Sequence, residues 1–133
     1  MNTGINIGLL ILRVSTGGMM IFHGISKITK GIGFIQNTLV ESGWSGWLAF
    51  GVYIGEILVP ILLILGWRTR LAAIVFAFNM VVATLLVHSE DLFKIGSHGE
   101  WAVELQGLYF FAALVLIFTG GGKYAVSRKS FGD

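Results

Sequence analysis

Five ionisable side chains within apolar stretches are the residues of this sequence that could do chemistry. Arg13, His23 and Lys27 lie in one apolar run, whereas Glu56 and Glu104 each lie in another. A charged side chain at the centre of a bilayer costs about 2.5 kcal/mol or more, so such residues are functional candidates by default. A histidine beside a carboxylate is suited to shuttle protons near neutral pH. The pattern therefore predicts proton transfer or the binding of a polar ligand headgroup.

The composition indicates a membrane protein and excludes several other classes. Of the 133 residues, 55% are hydrophobic and 12% charged, and the mean hydropathy is +0.82. Cysteine is absent, which removes thiolate nucleophiles, iron–sulfur ligation and cysteine zinc sites. The sequence has no nucleotide-binding glycine motif, no metal-ligand spacing and no basic patch interleaved with aromatic residues. We therefore expect no metal, no nucleotide cofactor and no nucleic-acid partner.

Four segments have the roughly 20 mainly apolar residues that a helix needs to cross a bilayer. They cover about 5–28, 47–67, 71–88 and 101–119. Because backbone polar groups in lipid must be satisfied internally, these segments predict an all-α membrane protein, an antiparallel four-transmembrane-helix bundle formed by residues 1–133 as a single domain. Residues 66–70 form a tight turn, residues 29–46 could include a short interfacial helix, and 120–133 are a polar tail.

The distribution of basic residues predicts the orientation of the bundle. The end that holds both termini and the 66–70 turn carries five basic residues, and the opposite end has three lysines, at 27, 30 and 94. The positive-inside rule then places both termini in the cytoplasm. Arg68 and Arg70 are interpreted as anchors that fix this topology.

A first polar group lies at mid-depth. Arg13 and Glu56 lie eight and nine residues into antiparallel spans, which predicts an ion pair between them. Pro60 lacks the N–H that would bond to the carbonyl of Glu56, so a freed carbonyl and a carboxylate would share one level, with Tyr53 one turn away. This group could bind a proton, a water molecule or a ligand headgroup. The alternatives are a pair that only fixes helix register and an ordinary proline kink. Asn79, in the middle of the third span, is a further candidate ligand contact.

A second polar group lies near the opposite, outer end. We expect His23 and Glu104 to form a hydrogen-bond donor and proton-relay pair, with Glu56 as a further catalytic candidate. Lys27 could steady an anionic substrate or could simply extend to lipid headgroups. His88 is either a helix cap or a site residue. Ligation of a haem by two histidines is a weaker alternative.

Several motifs, taken together, resemble the DoxX family of small four-helix bacterial membrane proteins. They are LLILRVSTGGMMIFHGISKI, then GEILVPILLILGWRTRLAA, a histidine that closes the third span, and GGGKY after the fourth. The resemblance of that family to the DoxD subunit of thiosulfate:quinone oxidoreductases implies a redox role in a bacterial cytoplasmic (inner) membrane, with quinone as the acceptor.

The functional hypothesis is therefore a membrane-embedded redox protein, or a subunit of a redox complex, that is linked to quinone. Its polar pocket would open to the outer, periplasmic side. Its partners would be the lipid bilayer, a quinone, and either a periplasmic or membrane redox protein or a second copy of the chain. Two alternatives stay open at this point: a non-catalytic membrane partner or scaffold subunit, and a carrier of small molecules or lipids.

Overall fold

The computed structural model describes residues 2–133, and its regular secondary structure is helical. The principal helices are α1 (Thr3–Lys30), α2 (Gly33–Glu41), α3 (Gly46–Leu65), α4 (Thr69–Val87) and α5 (Glu104–Thr119). Helices α1, α3 and α4 are long and apolar enough to cross a membrane, and α5 is a shorter apolar helix of 16 residues. No strand forms within residues 2–133. The predicted all-α class is confirmed, and α2 is a short helix of the kind that residues 29–46 could include.

The four apolar helices pack in the order α1, α3, α4 and α5, and α5 closes the ring with a smaller contact on α1. The Lys123 amide donates a 2.9 Å hydrogen bond to the side-chain oxygen of Asn6, so the start of α1 lies beside the segment after α5. We call this end of the bundle, with the turn after α3, the tail end. The opposite end, with α2 and residues 89–103, is the loop end.

Close contact between α1 and α3 depends on two glycines. A Cβ atom at Gly24 would lie 2.4 Å from the carbonyl oxygen of Glu56, and one at Gly17 would lie 2.6 Å from that of Pro60. Small residues let helix backbones approach in this way within a membrane. At Gly18, which follows Gly17 directly, no neighbouring atom lies within 4 Å of such a Cβ. The contact therefore follows the spacing of Gly17 and Gly24 along one face of α1.

Arg13 is completely buried and binds main-chain carbonyls. Its Nε donates to the carbonyl of Gly121 at 3.0 Å, and its Nη1 donates to those of Leu63 at 3.0 Å and Ile64 at 3.1 Å. The last carbonyls of a helix have no partner within it, and here the guanidinium supplies donors for two of them. The predicted Arg13–Glu56 ion pair is therefore wrong.

The prediction failed because α1 and α3 are staggered. Arg13 already lies opposite the last turn of α3, so the ten preceding residues of α1 (Thr3–Leu12) extend beyond α3 at the tail end, by about 15 Å. Glu56 lies opposite Gly24. Arg13 and Gly24 are 11 positions apart on α1, which corresponds to about 16 Å along the helix axis. The Arg13–Glu56 pair was predicted by counting residues from the ends of the two spans, on the assumption that the end of α1 and the end of α3 lie at the same depth.

The polar tail folds back over the bundle. The amides of Val126 and Ser127 donate to the carbonyls of Leu65 and Gly66, at 3.1 and 3.2 Å, and the Leu71 amide donates to the carbonyl of Gly132 at 3.0 Å. These bonds satisfy further carbonyls at the end of α3 and fix residues 126–132 against the first turn of α4. The tail is thus an ordered part of the tail end.

Arg68 and Arg70 also bind main-chain carbonyls at this end. Arg70 Nη1 donates to the carbonyls of Ile117 at 2.9 Å and Phe118 at 2.7 Å, and so caps α5. Arg68 has a left-handed backbone with φ of 51°, lies over the Trp67 ring at 5.4 Å, and donates to the carbonyl of Phe131. Both arginines therefore join neighbouring segments of the tail end.

The outside of the bundle is strongly apolar. Phe22, Phe78 and Phe118 belong to three different helices and are 72%, 68% and 77% exposed. Water would not stabilise such a continuous apolar exterior, whereas hydrocarbon would. The exposed faces are consistent with a membrane environment.

Candidate functional site

An ion pair between Lys27 and Glu56 is the centre of the candidate site. Lys27 Nζ lies 2.6 and 2.8 Å from the two carboxylate oxygens, so the ammonium group binds both of them. The Glu56 side chain is 9% exposed and that of Lys27 is 27% exposed. The other two ion pairs within residues 2–133 lie at the loop end and have separations of 3.6 and 3.7 Å. Lys27 and Glu56 thus form a short, partly desolvated pair that joins α1 to α3.

The backbone around Glu56 departs from α-helical geometry. Residues Ile54–Leu58 form a π-helical turn, and the Val59 amide bonds to the carbonyl of Ile54 five residues earlier. Pro60 follows Val59, one residue after the π turn. In a regular helix its ring would collide with the carbonyl four residues earlier, which is that of Glu56. The wider π turn accommodates the ring. Such turns occur frequently at functional sites, which supports Glu56 as a site residue.

Two half-buried polar side chains lie against the backbone next to this pair. The Tyr53 hydroxyl is 3.5 Å from the carbonyl oxygen of Lys27, within reach of a weak hydrogen bond. The Asn79 amide group occupies the space beside Gly55, where a Cβ atom would lie 2.4 to 2.8 Å from it. The structure therefore brings together four of the predicted site residues, Lys27, Glu56, Tyr53 and Asn79, from α1, α3 and α4.

The α1–α5 seam, defined by His23 and Tyr109, lies next to the pair. Their ring centroids are 6.1 Å apart with an interplanar angle of 88°. His23 is exposed, and its Nδ1 is 3.3 Å from the carbonyl of Met19. Since a carbonyl only accepts, this contact assigns the proton to Nδ1 and leaves Nε2 of the neutral ring as an acceptor. Tyr109 is buried, and Glu56 lies within electrostatic range of its hydroxyl.

Together these groups can donate, accept and relay protons. Lys27 and the Tyr109 hydroxyl are donors for an oxygen atom of a ligand, Glu56 is an acceptor, and His23 connects the seam to the exterior of the bundle. Imidazole is the side chain whose charge ordinarily changes near neutral pH. The arrangement is chemically suited to a small ligand that gains or loses protons.

Comparison with known proteins identifies the family. A family model described as DoxX matches residues 8–89, more than half of the chain. The chain belongs to the DoxX family. An "Uncharacterized protein" of Haemophilus influenzae is 32% identical over 133 residues, which span 92% of this chain and 90% of that protein. "Putative oxidoreductase CatD" of Bacillus subtilis is 32% identical over 109 residues, 82% of this chain and 81% of its own length. No solved structure matches the chain significantly.

The DoxX match covers α1 to α4 and therefore most of the candidate site. His23, Lys27 and Glu56 lie within it, whereas Tyr109, on α5, lies outside. Family membership, with the apolar helices, makes this chain a DoxX membrane protein. The roles predicted for individual side chains depend on the geometry described above.

The structure does not bring every predicted residue of this DoxX protein to the site. The Glu104 side chain is exposed at the start of α5 and makes no hydrogen bond or ion pair with residues 2–133, so the expected His23–Glu104 pair does not form among the described residues. His23 lies seven residues before Lys30, the last residue of α1, and is therefore about 10 Å from the loop end of that helix. His88 follows α4, and its Nδ1 lies 3.6 Å from a carboxylate oxygen of Asp91, within the loop.

Tyr109 was missed by the sequence reasoning. It is the only tyrosine in the fourth apolar segment, and that isolated phenol was an available signal. Its position on the helix gave no indication that it would face α1, because almost every neighbour is apolar and the helix has no polar side to orient it. The contact with His23 could be identified only from the packing.

Two cavities are prominent in the DoxX fold described here. The larger, of about 690 Å³, is polar and lies at the tail end. The smaller, of about 230 Å³, is apolar and lies between α4 and α5 near the loop end, with Met80, Trp101 and Phe110 in its lining. Neither is the polar pocket expected beside His23 at the loop end, and that pocket stays a prediction.

Proposed function

We propose that this DoxX protein is a membrane redox protein, or a subunit of a redox complex, that acts on a quinone at the α1–α5 seam. The observation that carries the proposal is the grouping of Lys27, Glu56, His23 and Tyr109, four proton-active side chains, around one π turn. The "Putative oxidoreductase" name of the Bacillus subtilis relative supports the redox class.

The residues present fit a quinone headgroup. A bound quinone would supply a two-electron, two-proton acceptor. Its carbonyl oxygens require hydrogen-bond donors, which Lys27 and the hydroxyl of Tyr109 can provide. Glu56 holds the Lys27 ammonium through both carboxylate oxygens and keeps that donor in place. His23, whose Nδ1–H is held by Met19, can carry protons between the seam and the outside through Nε2.

The proposal includes an orientation in the bacterial inner membrane. We place α1, α3, α4 and α5 across the bilayer, both termini in the cytoplasm, and the His23 side of the seam toward the periplasm. The tail end carries more lysine and arginine than the loop end, which supports this orientation. The 16 residues of α5 extend about 24 Å, and they are continued at the loop end by Trp101 and Val103.

Quinone binding to the purified protein tests the proposal. We expect decylubiquinone to quench tryptophan fluorescence of the protein in phosphatidylcholine nanodiscs in a saturable manner. His23→Ala and Tyr109→Phe should each weaken binding about five-fold or more, since each removes one hydrogen-bonding group worth about 1 kcal/mol. Tyr109→Phe retains the ring that packs on Phe76 at 5.8 Å, so the fold should be preserved.

The matched control is Glu104→Gln, which removes a carboxylate that is exposed and has no partner within residues 2–133. It should bind quinone as the wild type does. Tight binding that is insensitive to His23 and Tyr109 would refute the assignment of the seam. A chain that binds no quinone but copurifies with a stoichiometric partner would contradict the redox proposal and favour a scaffold subunit.

A further inference from the structure

We propose that the tail-end cavity binds the phosphoryl group of an anionic ligand, either an acidic phospholipid headgroup or a soluble phosphate ester. The cavity has a volume of about 690 Å³, within the range of small-molecule sites. Its lining contains four basic side chains and one side-chain carboxylate, that of Asp133, so the side chains of the lining carry a formal charge of +3. The basic residues are Arg70, Lys123, Arg128 and Lys129.

The fold fixes the position of this charge. The Lys123 amide is bonded to Asn6, the Ser127 amide to the carbonyl of Gly66, and the Leu71 amide to the carbonyl of Gly132. Residues that served only to orient the chain in the membrane would not need to be held around a cavity. These main-chain bonds instead hold the tail against the first turn of α4, so that Arg70 and the basic side chains of the tail line one cavity.

The basic side chains of the lining have N–H donors that are not used in hydrogen bonds within the described residues. Lys123, Arg128 and Lys129 form no ion pair and no side-chain hydrogen bond with any residue from 2 to 133. Arg70 uses Nη1 to cap α5, while its Nε and Nη2 lie 3.3 and 3.4 Å from the position that a Cβ of Gly120 would occupy. Guanidinium and ammonium groups of this kind are the usual ligands of phosphate oxygens.

The carboxylate of Asp133 is hydrogen-bonded within the tail. It accepts hydrogen bonds from the Ser127 hydroxyl and the Ser130 amide. Desolvation alone would raise its pKa, but these bonds and the charge of Arg68 together hold the pKa below its ordinary value. Asp133 thus orders the tail, and its single negative charge offsets only one of the four basic groups.

A buried cation lies directly behind the lining. Arg13 is fully buried, has no carboxylate partner within the described chain, and has an Nη2 atom without a hydrogen-bond partner. Its Nε is bonded to the carbonyl of Gly121, which is part of the cavity lining. The field of a charge in a low-dielectric interior is weakly screened. The amides of Gly121 and Gly122 make no hydrogen bond with residues 2–133 and are additional donors for an anion.

The experiment compares two charge-matched variants in nanodiscs. Arg128→Gln/Lys129→Gln removes two basic groups from the lining, and Lys30→Gln/Lys94→Gln removes two lysines from the loop end. One arm measures retention of phosphatidylglycerol from mixed phosphatidylcholine nanodiscs by native mass spectrometry. The other titrates inorganic pyrophosphate into the protein in pure phosphatidylcholine nanodiscs. A basic residue near an anionic surface contributes about 1 kcal/mol, or about five-fold in affinity, so the lining variant should bind about 30-fold more weakly.

The two arms separate the sources of the phosphoryl group. Retention of phosphatidylglycerol alone supports a lipid headgroup, and binding of pyrophosphate supports a soluble ester. In either case the loop-end variant should remain within about two-fold of the wild type, and the thermal unfolding of the lining variant in phosphatidylcholine should be unchanged. The proposal is overturned if neither probe binds, if the lining variant binds like the wild type, or if both variants lose affinity equally.

Discussion

The coupling between Lys27 and Glu56 is the most direct test of the site geometry. Lys27→Met leaves a carboxylate that is only 9% exposed without its cation. Loss of one partner of a buried pair destabilises by about 3 to 5 kcal/mol, and we expect the lower part of that range, about 3 kcal/mol, because Lys27 is only partly buried. Glu56→Gln leaves an ammonium that is 27% exposed and can extend toward water, so we expect about 1 to 2 kcal/mol.

The double variant Lys27→Met/Glu56→Gln should therefore be more stable than the sum of the two losses implies. Contacting residues commonly show interaction energies of 0.5 to 3 kcal/mol, and the bidentate geometry favours about 2 kcal/mol here. The free energy of unfolding can be measured by titration with sodium dodecyl sulfate in mixed micelles. The two single losses should also be unequal, with the lysine variant less stable.

Arg13 provides the control for this double-mutant cycle. Arg13→Leu removes three hydrogen bonds, to the carbonyls of Leu63, Ile64 and Gly121, of which only that of Leu63 keeps another donor, the Gly66 amide; the variant should lose about 3 kcal/mol or more. Because Arg13 and Glu56 are about 16 Å apart along the helices, their effects should add within about 0.5 kcal/mol. Strong coupling of Arg13 to Glu56, or none between Lys27 and Glu56, would refute the helix register.

Two further predictions concern packing and pH. Gly24→Ala should destabilise the bundle by about 1 to 3 kcal/mol, since its Cβ would meet the Glu56 carbonyl, while Gly18→Ala should be neutral in the same unfolding assay. The pKa of Asp133 is lowered in the folded chain, so its contribution to tail docking is complete above 3.8 and disappears as the pH falls through the lower folded value. The protection factors of the tail amides, which correct hydrogen exchange for its intrinsic pH dependence, should fall over that acidic range in the wild type but stay unchanged in Asp133→Asn.

Hydropathy and turn chemistry predicted the helices well because both are local properties. The apolar runs became α1, α3 and α4 with ends shifted by one to two residues, and Gly66 takes the left-handed backbone that its turn requires. The last segment differs more, because residues 101–103 form a turn and α5 begins only at Glu104. A hydropathy window does not distinguish an apolar turn from an apolar helix.

The chemical pairing could not be derived in the same way, since it depends on the relative axial position of two helices. His23, Lys27, Glu56, Tyr53 and Asn79 were all recognised as candidates from their types alone. Which of the two cations on α1 meets the carboxylate on α3 is decided by how far α1 extends past α3.

The axial offset between α1 and α3 is determined by hydrogen-bonding groups that a hydropathy pattern does not reveal. The tail needs the first turns of α1 as its support, since the Asn6 side chain accepts the Lys123 amide, and Arg13 must reach both the last carbonyls of α3 and that of Gly121. Because Arg13 and Asn6 make these hydrogen bonds, α1 is shifted toward the tail end. Lys27, instead of Arg13, then lies at the level of Glu56. Hydrogen bonds at the tail end thus determine which cation of α1 pairs with Glu56. We therefore expect substitutions in the tail to change the Lys27–Glu56 distance although no tail residue contacts that pair.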